Sequence, residues 1–200
     1  MLNSDKLYQI IDAYDVISKQ ELSNRVKRTV KRHIRQTEYF DLIKDGSYVK
    51  VISVITGKSV ATISAYLSTY DKSGIYKNKF PLIHLAKIAD AFSSGLEYIL
   101  GLTENDTSTN TAKEYVDLYE RYKNTDKLVV ASNIRILKSN GVNGICTNLD
   151  VGKVLGISDN AVKNNLSTGK MAEKNRFTIL QLYKLADAYD VDVERFFEEH

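Results

Sequence analysis

Asp150–Ser167 reads DVGKVLGISDNAVKNNLS, and its spacing decides the fold. Val151, Val154 and Leu155 fall on one face of a helix. Gly156 follows, the residue best able to take up the left-handed turn that ends a helix. Ser158 is then a natural N-cap for a second helix, DNAVKNNL, with Val162 and Leu166 turned inward.

Working outward, the same pattern occurs twice. Thr56–Ser68 (TGKSVATISAYLS) pairs with Leu155–Ser167 (LGISDNAVKNNLS), 99 residues apart, sharing the glycine, a serine two later, a β-branched residue six later and a closing Leu-Ser. Phe80–Leu100 (FPLIHLAKIADAFSSGLEYIL) aligns without a gap on Phe177–Phe197 (FTILQLYKLADAYDVDVERFF), 97 residues apart. The change of offset falls between these blocks, in YDKSGIYKNK versus TGKMAEKN, where a loop accepts an indel. In the first copy the turn set is Ile52, Ile55, Gly57, Ser59, Ile63 and Leu67. Each copy continues with an amphipathic helix, Leu82, Leu85, Ala86, Ala89 and Phe92 in one and Ile179, Leu182, Leu185, Ala186 and Tyr189 in the other. A short element, GLEYIL or DVERFF, closes each core.

Helix, glycine, serine-capped helix is the helix-turn-helix order. On these residues, with the apolar-small pairs Val151-Gly152 and Ile52-Ser53 and the stretch LAKIADAFSSGLEYILGLTE, the chain resembles the lambda-repressor/Cro-like (XRE) family over residues 25–103 and 126–199. It departs from that family in lacking an acid near the end of the second helix, where Leu67 and Leu166 stand. The stretch QTEYFDLIKDGSYVKVI is also longer than the family's usual connection. The resemblance implies an all-α fold of two tandem lambda-repressor-like helix-turn-helix domains joined by a short linker. The boundaries read as 1–24 for an N-terminal helical extension, 25–103 for the first domain, 104–125 for linker and connecting helix, and 126–200 for the second domain.

Composition fits this reading. The chain is 43% hydrophobic and 26% charged, with a single proline, as a mostly helical protein requires. No apolar run is long enough for a membrane span, and MLNSDKLYQIIDAYD lacks the basic lead and apolar core of a secretory signal. The lone Cys146 forms no intramolecular disulfide, sits among small and loop-forming neighbours, and suits a reducing cytoplasm, bacterial or phage-infected by the resemblance. Net charge is only +3, but its distribution is uneven. RVKRTVKRHIR carries Arg25, Lys27, Arg28, Lys31, Arg32 and Arg35 without an acid, whereas DAYDVDVERFFEEH is acidic. A basic stripe opposed by an acidic end is the footprint of a face that meets a polyanion, or of two solvated helix faces.

The recognition helix of a helix-turn-helix reads base edges with its outward residues. In the second copy these are Asp159, Asn160, Lys163, Asn164 and Asn165, behind the cap Ser158. Asparagine pairs with adenine, and lysine reaches guanine or phosphate. Lys153, Lys170, Lys174 and Arg176 flank the helix as phosphate contacts. In the first copy the outward set is Val60, Ala61, Thr62, Ser64 and Ala65, behind Ser59. Hydroxyls and methyls suit a thymine methyl, with Arg28, Arg32, their neighbours in Arg25–Arg35, and Lys58, Lys72, Lys77 and Lys79 left for phosphates. DNA contact by both copies is the expectation, with a protein-interaction module as the alternative for the first.

Tyr115, Tyr119 and Tyr122 form an aromatic stripe, either core or dimer contact, and Leu7, Ile10, Ile11 and Tyr14 offer a second dimer surface. One chain could span two half-sites about 34 Å apart, or a homodimer could present four domains. His33, His84 and His200 stand on separate elements with no metal-ligand spacing, His84 as a surface helix residue. There is no phosphate-cradling loop or nucleophile motif, so neither catalysis, metal nor cofactor is expected. Double-stranded DNA is the expected partner of a phage or mobile-element type transcriptional regulator. A protein-binding inhibitor or antirepressor using the same scaffold is the alternative, with a protein as its partner; a membrane is a partner in neither.

Overall fold

The computed structural model describes residues 2–43, 47–68, 79–107, 109–168 and 176–199. Among these, every regular element is helical: α1 (Ser4–Val16), α2 (Lys19–His33), α3 (Tyr48–Thr56), α4 (Val60–Leu67), α5 (Leu82–Ala91), α6 (Leu96–Ile99), α7 (Thr111–Asn124), α8 (Lys127–Ser139), α9 (Asn148–Leu155), α10 (Asp159–Leu166) and α11 (Ile179–Tyr189). Short 3-10 turns cover Ile34–Gln36, Glu38–Ile43, Val142–Gly144 and Val193–Phe197. The fold is all-α. None of the helices is long and apolar enough to cross a membrane among the described residues. The chain divides into two compact units, Met1–Asp117 and Leu118–His200.

In the first unit, Asn3 and Ser18 cap α1 and α2 through their side chains. Leu7 and Ile10 of α1 are fully buried, in a core shared with Val26, Ile52, Ile63, Leu85 and Leu96. Of the α1 face expected as a dimer surface, Leu7 and Ile10 are therefore core, each burial gaining about 1.5–3 kcal/mol, and Ile11 and Tyr14 are half-buried. The described part of the long connection after α2 includes two 3-10 turns, and Tyr39 lays its ring edge-on to Phe92 at 6.4 Å. Ile55, expected inward, is only half-buried. Thr56 takes the buried place, its hydroxyl donating to the Ile52 carbonyl at 2.7 Å.

The polar stretch after α6 is tied down by its acids. Glu104 accepts from Arg25, and Asp106 accepts from Ser94, Arg32 and, at 2.7 Å, His33. Thr109 and Thr111 donate to the buried Glu97, which also pairs with Lys6.

In the second unit, Asp126 caps α8, and Thr147–Asp150 and Thr178–Gln181 form reciprocal capping boxes at α9 and α11. Val151, Val162, Leu182, Leu185 and Phe196 fill the core. Element by element the units correspond: α8, α9, α10, α11 and Val193–Phe197 repeat α2 to α6. Of the tyrosine stripe, Tyr115 of the first unit is buried, and Tyr119 and Tyr122 of the second are half-buried.

Candidate nucleic-acid interface

Each unit contains the expected turn. Gly57 and Gly156 end α3 and α9 in the left-handed region, at φ of +65° and +67°. Ser59 and Ser158 then cap the next helices, accepting from Thr62 N–H and Ala161 N–H at 3.2 Å. Ile63 and Leu67, or Val162 and Leu166, anchor the second helix inward. The opposite face points to solvent by helical period alone.

On α10 that face carries Asp159, Asn160, Lys163 and Asn164, all exposed. Among the described residues none forms a hydrogen bond or ion pair with these four side chains. Asn165 departs from the expected set: it is half-buried beside Tyr122, Arg176 and Phe177. Lys163 and Asn164 border a cleft of about 380 Å³ that Arg135, Lys138, Asn148 and Thr168 also line. Three cations and no carboxylate stand among these lining residues, which suits an anion. Arg135 also donates to the Leu166 carbonyl, placing its charge at the C-terminal end of α10, where the helix dipole favours a cation. Lys138 donates to Asn148 Oδ1 at 2.6 Å.

Arg135, Lys138 and Asn148 were not among the residues expected from the sequence. The signal of the two cations was present in SNIRILKS, where they stand three apart on one helical face. Of the flanking cations, Lys153 is exposed, 4.0 Å from Asp150. Arg176 instead stacks over the Tyr122 ring at 5.9 Å and donates to the Tyr122 carbonyl. Lys170 and Lys174 lie outside the described residues, as do Lys72, Lys77 and His200.

On α4 the corresponding face presents Val60, Ala61 and Ser64, exposed, with Thr62 and Ala65 half-buried. The Thr62 hydroxyl lies 2.9 Å from that of the cap, Ser59. Lys27 donates to the Leu67 carbonyl at 3.3 Å, the counterpart of Arg135. No protein-family model, curated protein or solved structure matches the chain.

The basic helix α2 is less available than its composition implied. Arg25 is buried: its guanidinium donates to Glu21 at 2.7 Å, Glu104 at 2.7 Å and the Tyr98 carbonyl at 3.0 Å. That arginine ties three elements together and cannot reach a phosphate. Arg32 pairs with Asp106 at 3.2 Å and lies over the Tyr98 ring, yet keeps 58% of its side chain exposed. Arg28 is exposed and has no hydrogen-bond or ion-pair partner among the described residues.

His84 is not on the surface. It is buried beside the Tyr66 ring, with Nδ1 unpartnered among the described residues. Burial, then Lys58 and Lys87, hold its pKa below the ordinary histidine value. His33 does meet a carboxylate in space, Asp106, despite its sequence isolation. Among the described residues, no three His, Cys, Asp or Glu side chains come together as metal ligands. Cys146 is exposed in its loop.

Proposed function

We propose that the chain is a sequence-specific DNA-binding transcriptional regulator of the lambda-repressor/Cro-like kind, a phage or mobile-element repressor acting in the cytoplasm of a bacterial or infected cell. One observation carries this reading. The unpartnered Lys163 and Asn164 of α10 border a cleft lined by Arg135 and Lys138, and Asn160 stands exposed on the same face of the helix. Asparagine and lysine amides and ammonium groups supply the donors that purine edges accept, and the cleft supplies charge for the adjacent phosphates. No chemistry on the DNA is part of this reading; binding alone regulates.

The test is a titration of the purified chain with DNA from upstream of its own gene, against a scrambled competitor, at two salt concentrations. A regulator prefers its site by about 10³-fold or more. Equal, salt-sensitive binding to both DNAs would reduce the reading to backbone affinity.

A second reading, a protein-binding inhibitor or antirepressor, is favoured by the first unit. There Val54 and Val60 are 59% and 46% exposed on the helix pair that would face a ligand. Co-purification of a protein partner together with absence of any DNA preference is the result that reading predicts.

A further inference from the structure

We infer that the two units read unlike half-sites, so that the DNA element recognised by one chain is not an inverted repeat. Unit 2 reads purine edges and holds phosphates, whereas unit 1 reads the 5-methyl groups of thymines. This rests on the DNA-binding reading above and names the kind of site it implies.

Gly57 and Gly156, Ser59 and Ser158, and Leu67 and Leu166 occupy the same places, with the same turn and cap geometry. Ile63 and Val162 fill the same buried position. The framework that would present a recognition helix is thus intact in both units.

Every outward position nevertheless differs. Val60, Ala61, Ser64 and Ala65 stand where the other helix has Asp159, Asn160, Lys163 and Asn164. The exposed Val54 stands where the other has Lys153. The residues that line the anion-suited cleft also differ between the units. Lys27 matches Arg135, but the buried Val30 stands for Lys138 and Val49 for Asn148.

Valine and alanine side chains neither donate nor accept. The one apolar feature on a major-groove base edge is the thymine methyl, and alanine or a threonine methyl is a fitting neighbour for it. A helix bearing Val60 and Ala61 therefore discriminates by methyl contact. The Ser64 hydroxyl is its single exposed donor. Two such different faces cannot prefer the same bases.

The test uses the full wild-type chain. Selection from a random double-stranded DNA library should enrich two distinct elements, one of them thymine-rich. In the selected site, replacing thymine by deoxyuridine removes only the methyl. Within the thymine-rich element this should weaken binding about fourfold per contacted methyl, the value of one buried CH₂ group. In the other element it should change nothing, while Lys163→Ala/Asn164→Ala should abolish that element's preference alone. Two identical or inverted copies of one motif would overturn the inference, as would deoxyuridine without effect throughout the site. Failure to enrich any sequence would instead overturn the DNA-binding reading itself.

Discussion

The Tyr14 hydroxyl donates to the Phe80 carbonyl at 2.8 Å, and the residue before that phenylalanine, Lys79, stacks its ammonium on the Tyr14 ring at 4.5 Å. The second unit repeats the arrangement with other residues. Tyr122 donates to the Phe177 carbonyl at 2.8 Å, and Arg176 lies over the Tyr122 ring. Burial raises both phenol pKa values above the ordinary one, so each remains a donor at neutral pH. The two contacts fasten the chain entering α5 and α11 to the helix that precedes each set of five. The repeat therefore includes α1 and α7 as well.

Tyr14→Phe and Tyr122→Phe each leave a carbonyl without its donor. Each should lower unfolding free energy by about 1–2 kcal/mol, the cost of one lost hydrogen bond with its acceptor left unmet. Urea denaturation of the full chain would measure it. An effect in one unit but not in the other would show that the two contacts are not equivalent.

The glycine-serine turns, their inward residues and the α5/α11 match were readable from sequence because they depend on local geometry and period. The α1/α7 match was not. Its offset is 108 residues, against 97 at α5 and α11, since the connection after α2 is longer in the first unit. Few identities remain: Tyr115 and Leu118 stand at the positions of Leu7 and Ile10, and only the Tyr14/Tyr122 pair is shared at the contact. The tertiary partners of charged residues were also hidden. Arg25 looked like a phosphate contact within a basic run, and only folding brings Glu104 and the Tyr98 carbonyl to it across more than seventy residues. His84 was misplaced for a related reason. Its counterpart Gln181 closes a capping box with Thr178, but Pro81 stands at the equivalent cap and has no N–H to offer, so the ring turns inward.

The turn glycines should differ in their tolerance. A Cβ on Gly156 meets nothing within 4 Å, so Gly156→Ala should cost only the backbone strain of a left-handed residue, about 1–2 kcal/mol. A Cβ on Gly152 would lie 2.7 Å from the Ile157 backbone carbonyl. Gly152→Val should therefore be the more damaging change. Gly152→Ser should recover part of the loss, because Ser53 at the same place in the first unit donates its hydroxyl to the Lys58 carbonyl. Thermal melts of the three variants would rank them, and a Gly152→Val protein as stable as wild type would contradict the packing described.

His84 should make the first unit sensitive to mild acid. Its folded pKa lies below the ordinary 6.5, so the stabilisation is complete above that value and is lost as pH falls through the lowered folded pKa. Glu97 and Asp106 are also depressed: burial opposes this, but Lys6 and the threonines, or Ser94 and His33, outweigh it. Their contribution is lost only at still lower pH, below about 4. Stability measured by urea unfolding should thus decline between pH 7 and pH 5 in the wild type. His84→Gln should flatten that segment; an unchanged slope would show that another group governs it.

In the proposed function, α10 is the reader of DNA sequence. The most direct measurement compares wild type with Lys163→Ala/Asn164→Ala for binding to the upstream DNA and to scrambled DNA. Circular dichroism would confirm that the fold survives loss of two exposed side chains. Base contacts of this kind discriminate by about 1–3 kcal/mol each. The double variant should keep its helicity and weak salt-dependent binding but lose the preference for the specific site. A double variant that discriminates as well as wild type would contradict this role for α10.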